Sequence, residues 1–251
     1  RNNGGVFKKE PVNDLRGWWN FALPRDFDGD GDLDILAGNL GENAKFKPTD
    51  REPVRMYVAD FDGNNQIEQV LTYYVKGKEI PFATYEELMK TLPVLKKKFL
   101  YSKDFAKATV PEIFGKENLA KATTRSVNAL QSMYFENTGK GFKAHPLPDA
   151  LQLSPMMAAL AADLNGDDRA EVLLGGNFYE SSIEMGRYDA FYGGLLAFDP
   201  GGGLRSFPLG NLRVDGQVRR IRPIRVAGRP CFILVRNNDS AILIGTERDA
   251  G

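Results

Sequence analysis

Three nine-residue segments of the chain place oxygen-bearing side chains at matching positions. They are Asp26-Phe27-Asp28-Gly29-Asp30-Gly31-Asp32-Leu33-Asp34, Asp60-Phe61-Asp62-Gly63-Asn64-Asn65-Gln66-Ile67-Glu68 and Asp163-Leu164-Asn165-Gly166-Asp167-Asp168-Arg169-Ala170-Glu171. Each has Asp at position 1, Asp or Asn at 3, Gly at 4, Asp or Asn at 5 and a carboxylate at 9. This is a donor set for a hard cation. Calcium takes about six to eight oxygens at ~2.3–2.6 Å, and side chains at alternate positions of a tight loop can turn toward one ion. A backbone carbonyl at position 7 demands no particular side chain, and that position is Asp32, Gln66 and Arg169 in turn. Gly at 4 allows a sharp turn where a Cβ would clash. The expected cofactor is Ca²⁺, up to three ions. One would be held by Asp26, Asp28, Asp30, Asp34 and the Asp32 carbonyl. The second would be held by Asp60, Asp62, Asn64, Glu68 and the Gln66 carbonyl, and the third by Asp163, Asn165, Asp167, Glu171 and the Arg169 carbonyl. Magnesium demands a stricter octahedron and fits such loops less well.

An EF-hand needs Gly at position 6 and a bidentate Glu at 12. Position 6 is Gly31 in the first segment but Asn65 and Asp168 in the others, and position 12 is Ala37, Leu71 and Leu174. Metal-free Asx turns are the simpler alternative, because Asp, Asn and Gly favour turns in any setting. The first segment argues against that most strongly, since five Asp within nine residues repel one another without a cation. The second and third hold fewer acids and are expected to bind more weakly.

Catalytic groups are scarce. His145 is the single histidine, next to Pro146, and reads as an ordinary loop residue. Cys231 is the single cysteine and precedes an apolar run, which suits burial better than reactivity. No nucleophile elbow or Gly-Lys-Ser/Thr phosphate loop occurs. A carbohydrate-active enzyme, a glycoside hydrolase or lyase, would have to draw on Arg187, Tyr188 and Asp189, or on Glu180 and Glu184. Otherwise 186–190 is a structured turn. Lys plus Arg and Asp plus Glu both number 33, so net charge names no partner, and no nucleic-acid motif appears. The stretch 204–236 is nevertheless lopsided, with eight Arg against Asp215, and suggests an acidic polymer such as a sulfated glycan. No apolar run approaches the ~18 residues of a membrane helix.

The elements that must position the three segments are short strands. Runs rich in β-branched and apolar residues, broken by Gly, Asn, Asp and Pro, predict strands at 18–23, 33–38, 54–59, 69–75, 80–83, 133–136, 156–162, 171–175, 190–198, 217–226, 231–235 and 241–244. Continuous apolar runs such as 172–174 suit strands buried on both faces. Residues 84–125 differ. Thr84 with Glu87, and Thr109 with Glu112, fit capping boxes, and Leu88, Met89, Leu92, Leu95 and Phe99 recur at helical spacing. Pro93 should split that run. The nine basic and five acidic residues of this helical insertion read as a solvated face.

With an apolar strand on each side, the three segments closely resemble FG-GAP repeats, found in the β-propeller of integrin α subunits and in bacterial VCBS-type repeat proteins. The segments 37–43 and 186–190 also look like those of long secreted bacterial proteins of this group. The resemblance implies an all-β fold: a β-propeller-like array of about four blades, closed or partial, forming one domain over 1–251 with the helical insertion at 84–125 inside it. Each blade would be a four-stranded sheet with the calcium loop between its first two strands. The first two loops begin 34 residues apart, short for a blade of the usual ~40–60 residues, so the first blade is expected to be reduced or to share strands. The strands from Gln217 onward lack a calcium loop, with Arg229-Pro230 where one would fall. A sequence that opens on Arg1 reads as a piece of a longer polypeptide. The calcium loops, the scarcity of catalytic groups and the aromatic and arginine clusters together point to a non-catalytic, extracellular or cell-surface module that binds protein or glycan. Trp18, Trp19, Phe178, Tyr179, Tyr188 and Tyr192 are its candidate contact aromatics.

Overall fold

A computed structural model describes residues 2–199 and 202–245. The chain opens on a short ribbon, β1 (Asn2–Asn3) and β2 (Val6–Phe7). β3 (Phe21–Arg25) and β4 (Asp34–Gly38) flank the first acidic loop, and β5 (Val54–Ala59) and β6 (Glu68–Val75) flank the second. β7 (Lys78–Pro81) leads into five short helices: α1 (Tyr85–Thr91), α2 (Leu95–Lys98), α3 (Ser102–Lys107), α4 (Val110–Phe114) and α5 (Lys116–Lys121). Then come β8 (Thr123–Val127), β9 (Met133–Asn137) and β10 (Phe142–Pro146). β11 (Met156–Ala162) and β12 (Glu171–Gly176) flank the third loop. β13 (Gly194–Phe198), β14 (Leu204–Phe207), β15 (Gln217–Val226), β16 (Arg229–Asn237) and β17 (Ile242–Gly245) complete the described chain.

The fold is mostly β. Beyond the ribbon there are three four-stranded sheets and one three-stranded sheet, all antiparallel, and none of the described sheets closes into a barrel. The chain divides into two compact units, one of residues 1–45 with 130–251 and one of 46–129.

In the first unit three sheets stack in succession. β10-β9-β4-β3 packs on β11-β12-β13-β14 through Leu36, Tyr134, Met156, Val172, Leu174 and Leu196. The opposite face of the middle sheet packs on β15-β16-β17 through Ala158, Leu173, Val218, Ile221, Phe232 and Leu234. Val172 and Leu174 thus serve one core and Leu173 the other, as the period of two requires of a strand buried on both faces. Close approach depends on glycine. A Cβ on Gly175 would lie 2.6 Å from Val218 Cγ1, and one on Gly38 would lie 2.5 Å from the Met156 carbonyl oxygen.

The first sheet is not reduced. It has four strands, but residues 46–129 are spliced between its second, β4, and its third, β9. The short spacing between the first two loops reflects this splice rather than a missing strand. Where β15 meets β16, the acidic loop is replaced by a tight turn with Ala227 at φ 50° and Gly228 at φ 80°. Two left-handed residues in succession match a type I′ hairpin.

The second unit is the sheet β7-β6-β5-β8 with the five helices. Both expected capping boxes form, at Thr84 with Glu87 and at Thr109 with Glu112. The run expected at 84–99 divides around Pro93 into α1 and α2. Leu88, Leu92, Leu95, Phe105, Val110, Ile113 and Phe114 form the core with Phe61 and Val70. Residues 123–127, most of which had been assigned to the helical stretch, instead form β8 and pair with β5.

Buried amides tie the strand ends together. Asn39 and Asn177 each follow the Gly that ends β4 and β12. Asn177 Nδ2 donates to the carbonyls of Phe191 (2.7 Å) and Gly216 (3.0 Å), and its Oδ1 accepts from the Phe191 N–H (3.1 Å). Replacing Asn177 by Ala leaves these buried backbone groups without partners, a cost of about 1–3 kcal/mol. The expected outcome of Asn177→Ala is a lower urea midpoint at unchanged slope; an unshifted midpoint would refute this role.

Candidate metal centres

The three acidic loops fold the same way. The position-1 carboxylate is wrapped by backbone N–H groups from positions 4 and 6: Gly29 (2.7 Å) and Gly31 (3.0 Å) on Asp26, Gly63 (2.7 Å) and Asn65 (2.8 Å) on Asp60, Gly166 (2.6 Å) and Asp168 (3.3 Å) on Asp163. The position-5 side chain accepts from the position-7 N–H, at 2.8 Å on Asp30, 2.7 Å on Asn64 and 2.9 Å on Asp167. The position-9 carboxylate accepts from the position-2 N–H, joining Asp34 to Phe27, Glu68 to Phe61 and Glu171 to Leu164 at 2.9–3.0 Å.

Two further positions belong to the motif. Position 6 is left-handed in every copy, at φ 96° for Gly31 and φ 64° for Asn65 and Asp168. Gly, Asn and Asp are the residues that tolerate this region. Position 2 is an apolar anchor. Phe27 stacks on Phe198 with centroids 4.4 Å apart, Phe61 is buried against Phe114, and Leu164 packs on the core between the middle and last sheets. The pattern Phe, Phe, Leu was visible in the sequence, but the oxygen-donor rule passed over it.

Two acidic groups could hold a metal ion. Asp26, Asp28 and Asp34 bring one carboxylate oxygen each within 4.8 Å of one another, and so do Asp60, Asp62 and Glu68. Their electrostatics differ. Burial, then the charges of Asp34, Asp30 and Asp26, lift the Asp28 carboxyl above its ordinary range against the pull of the Asp30 N–H. At Asp60 burial opposes ionisation, but the N–H groups of Asn65, Gly63, Asn64 and Asp62 outweigh it and hold the carboxyl low. In the second loop Asp62 Oδ1 is buried with no hydrogen-bond partner. An unpartnered buried carboxylate oxygen is costly, and a cation bound among these donors would satisfy it. The all-oxygen donor set therefore fits a hard cation.

The third loop is arranged differently. Asn165 Nδ2 donates to Asp167 Oδ2 (3.1 Å) and Glu171 Oε1 (3.0 Å), so an amide donor draws these carboxylates together.

Asp34 does more than close a loop. Fully buried, it accepts from the Tyr134 hydroxyl (3.0 Å) and the Asn137 N–H (2.8 Å) as well as from Phe27, binding the first loop to β9. Burial and the negative charge of Asp34 push the Tyr134 hydroxyl well above the usual phenol range. His145 is not a loop residue: it lies in β10, stacks on Tyr134 and places Nε2 2.6 Å from Glu136.

Of the residues a carbohydrate-active enzyme would draw on, Glu184 is exposed. Tyr188 is buried, bridged through its backbone to Phe178, whereas Arg187 and Asp189 stand exposed, 3.8 Å apart, with Arg187 lying over the Tyr179 ring. Glu180 is engaged by Gln217, Arg219 and Asn237. The arginine-rich stretch is less unbalanced than its sequence. Arg205, Arg213, Arg219 and Arg236 pair with Asp199, Asp215, Glu180 and Asp239, three of these acids lying outside 204–236. Cys231 is buried.

Tyr134→Phe removes one hydrogen bond to a buried carboxylate that keeps two backbone partners. The expected loss is about 1.5 kcal/mol of unfolding free energy, read by urea denaturation in chelator so that no metal contributes. A variant as stable as the parent would show that the hydroxyl does not hold the loop. No family model, curated protein or solved structure matches this chain, so its functional reading rests on the loops themselves.

Proposed function

We propose that the chain is a calcium-binding module of an extracellular or cell-surface β-propeller of the FG-GAP type, binding protein or glycan without catalysis. The observation that carries this reading is the shared backbone wrapping of three acidic loops, each set between the first two strands of a sheet. Calcium would be held by Asp26, Asp28, Asp30, Asp34 and the Asp32 carbonyl, and by the matching groups of the other two loops. The bound ion supplies positive charge that cancels carboxylate repulsion and fixes each loop between its strands. Propeller-like stacking is supported by the succession of three sheets in the first unit. Extracellular calcium sites work at roughly 10⁻⁴–10⁻³ M, which suits loops as exposed as these. Recognition would fall to side chains such as Tyr192, 40% exposed beneath Arg213, and Tyr179 beneath Arg187. Such stacked arginine–aromatic pairs offer flat, partly apolar surfaces to a sugar ring or a protein side chain.

Isothermal titration of the chelator-treated protein with calcium is the direct test. Heat that saturates at millimolar calcium is expected, and its absence would sink the proposal. The sites should rank by charge. Asp28→Ala should lower the melting temperature in calcium more than Asn165→Ala. Asn165→Asp removes the amide donor and adds a carboxylate, so it should tighten the third site; weaker calcium binding in that variant would contradict the assignment.

A further inference from the structure

The helical stretch of the second unit carries a surface that the calcium loops do not explain. Residues 90–107 contain six lysines, Lys90, Lys96, Lys97, Lys98, Lys103 and Lys107, against one acid, Asp104. Among the described residues none of these lysines forms an ion pair within 4 Å. The single turn of α2 divides its side chains cleanly. Leu95 is buried and Phe99 packs against the same core, while Lys96, Lys97 and Lys98 face solvent. The turn that follows then puts apolar side chains outside: Leu100 is 81% exposed and Tyr101 63% exposed, with Val94 at 46% on the other side of α2. A core is close at hand, since Phe99 and Phe105 enter it on either side of this pair. The Phe99 carbonyl is held by the Tyr85 hydroxyl, which fixes the turn that presents Leu100.

Exposed lysines alone are an ordinary solvated surface. Protruding aliphatic and aromatic side chains flanked by lysines without a carboxylate partner are a different arrangement, with the two halves that an interfacial segment needs. Lys103 lies over the Tyr101 ring, and only the Lys98 ammonium turns inward, donating to the Ile113 carbonyl (3.4 Å). The apolar tips enter the boundary between headgroups and acyl chains, and the ammonium groups meet anionic headgroups. A nucleic acid would satisfy the lysines but offers no apolar medium to Leu100. We propose that this face of the second unit docks on an anionic lipid surface, with Leu100 and Tyr101 inserted and Lys96, Lys97 and Lys103 on the headgroups. This is peripheral attachment, compatible with the finding that no helix among the described residues is long and apolar enough to cross a membrane. It does not depend on the calcium reading.

Co-sedimentation of the full chain with vesicles tests it, in chelator so that the acidic loops cannot bridge to lipid through calcium. Phosphatidylcholine vesicles are compared with vesicles in which about a third of the lipid is phosphatidylglycerol. Binding to the anionic vesicles alone is expected, weakening as salt rises. Each lysine near such a surface contributes about fivefold. Lys96→Glu with Lys97→Glu, which changes four charges, should therefore weaken binding by more than about a hundredfold. Leu100→Ser with Tyr101→Ser should weaken it at least about tenfold at unchanged charge. Both pairs alter exposed side chains, and circular dichroism checks that the fold persists. Failure to sediment with anionic vesicles would overturn the proposal, as would equal binding to neutral ones. Binding that ignores the Leu100/Tyr101 change, matched by equal affinity for heparin or an acidic protein, would mark a general polyanion surface instead.

Discussion

Concentrated negative charge at a turn between two strands is the constraint on which the rest of this structure depends. Five carboxylates in nine residues cannot be placed at will, and the backbone resolves the problem by folding around them. N–H groups from positions 4 and 6 converge on the first carboxylate, and the N–H of position 2 meets the last. Reaching those acceptors requires left-handed backbone at positions 4 and 6. It also turns the position-2 side chain inward, so the loop that gathers charge at the surface is pinned by an apolar residue below. Polar convergence and apolar anchoring are two sides of one backbone path.

That coupling ties each loop to the two strands it joins. β12, buried on both faces, has little freedom to adjust, and the third loop that leads into it is held by that packing. The first loop is held most firmly, because Asp34 also engages Tyr134 and Asn137 across the sheet. The third is knitted by an amide in place of a carboxylate. Three copies of one backbone path thus differ in charge, burial and attachment, which is the basis for ranking them.

Local features were the legible ones. Oxygen spacing marked all three loops, continuous apolar runs marked the buried strands, and Thr-x-x-Glu marked two helix starts, because each depends on neighbours in sequence. What escaped depends on distant partners. β8 and β10 are short and polar, with Arg125, Lys143 and His145, and only pairing with β5 and β9 makes them strands. The arginines of 204–236 looked unbalanced in part because Glu180 meets Arg219 only in the folded chain, while Asp199 and Asp239 lie just outside the stretch. The spliced sheet was illegible for the same reason. Nothing near residue 38 announces that its next strand begins at Met133, so a complete sheet read as a shortened one.

The splice bears on how the chain can fold. Ala37 must find Met133, and a flexible chain of that length closes slowly, since loop entropy has to be overcome before the contact gives anything back. The second unit removes most of that search. Val54 pairs with Val127, so once β5 and β8 join, the two ends of the intervening chain lie one strand apart. Pairing of β5 with β8 thereby shortens the effective loop that β4 and β9 have to close. Until β9 arrives, the edge of β4 that it will cover is without its partner strand. An uncovered strand edge is a template for mispairing for as long as it lasts, so the splice lengthens the exposure of β4 beyond that of a strand whose partner follows directly.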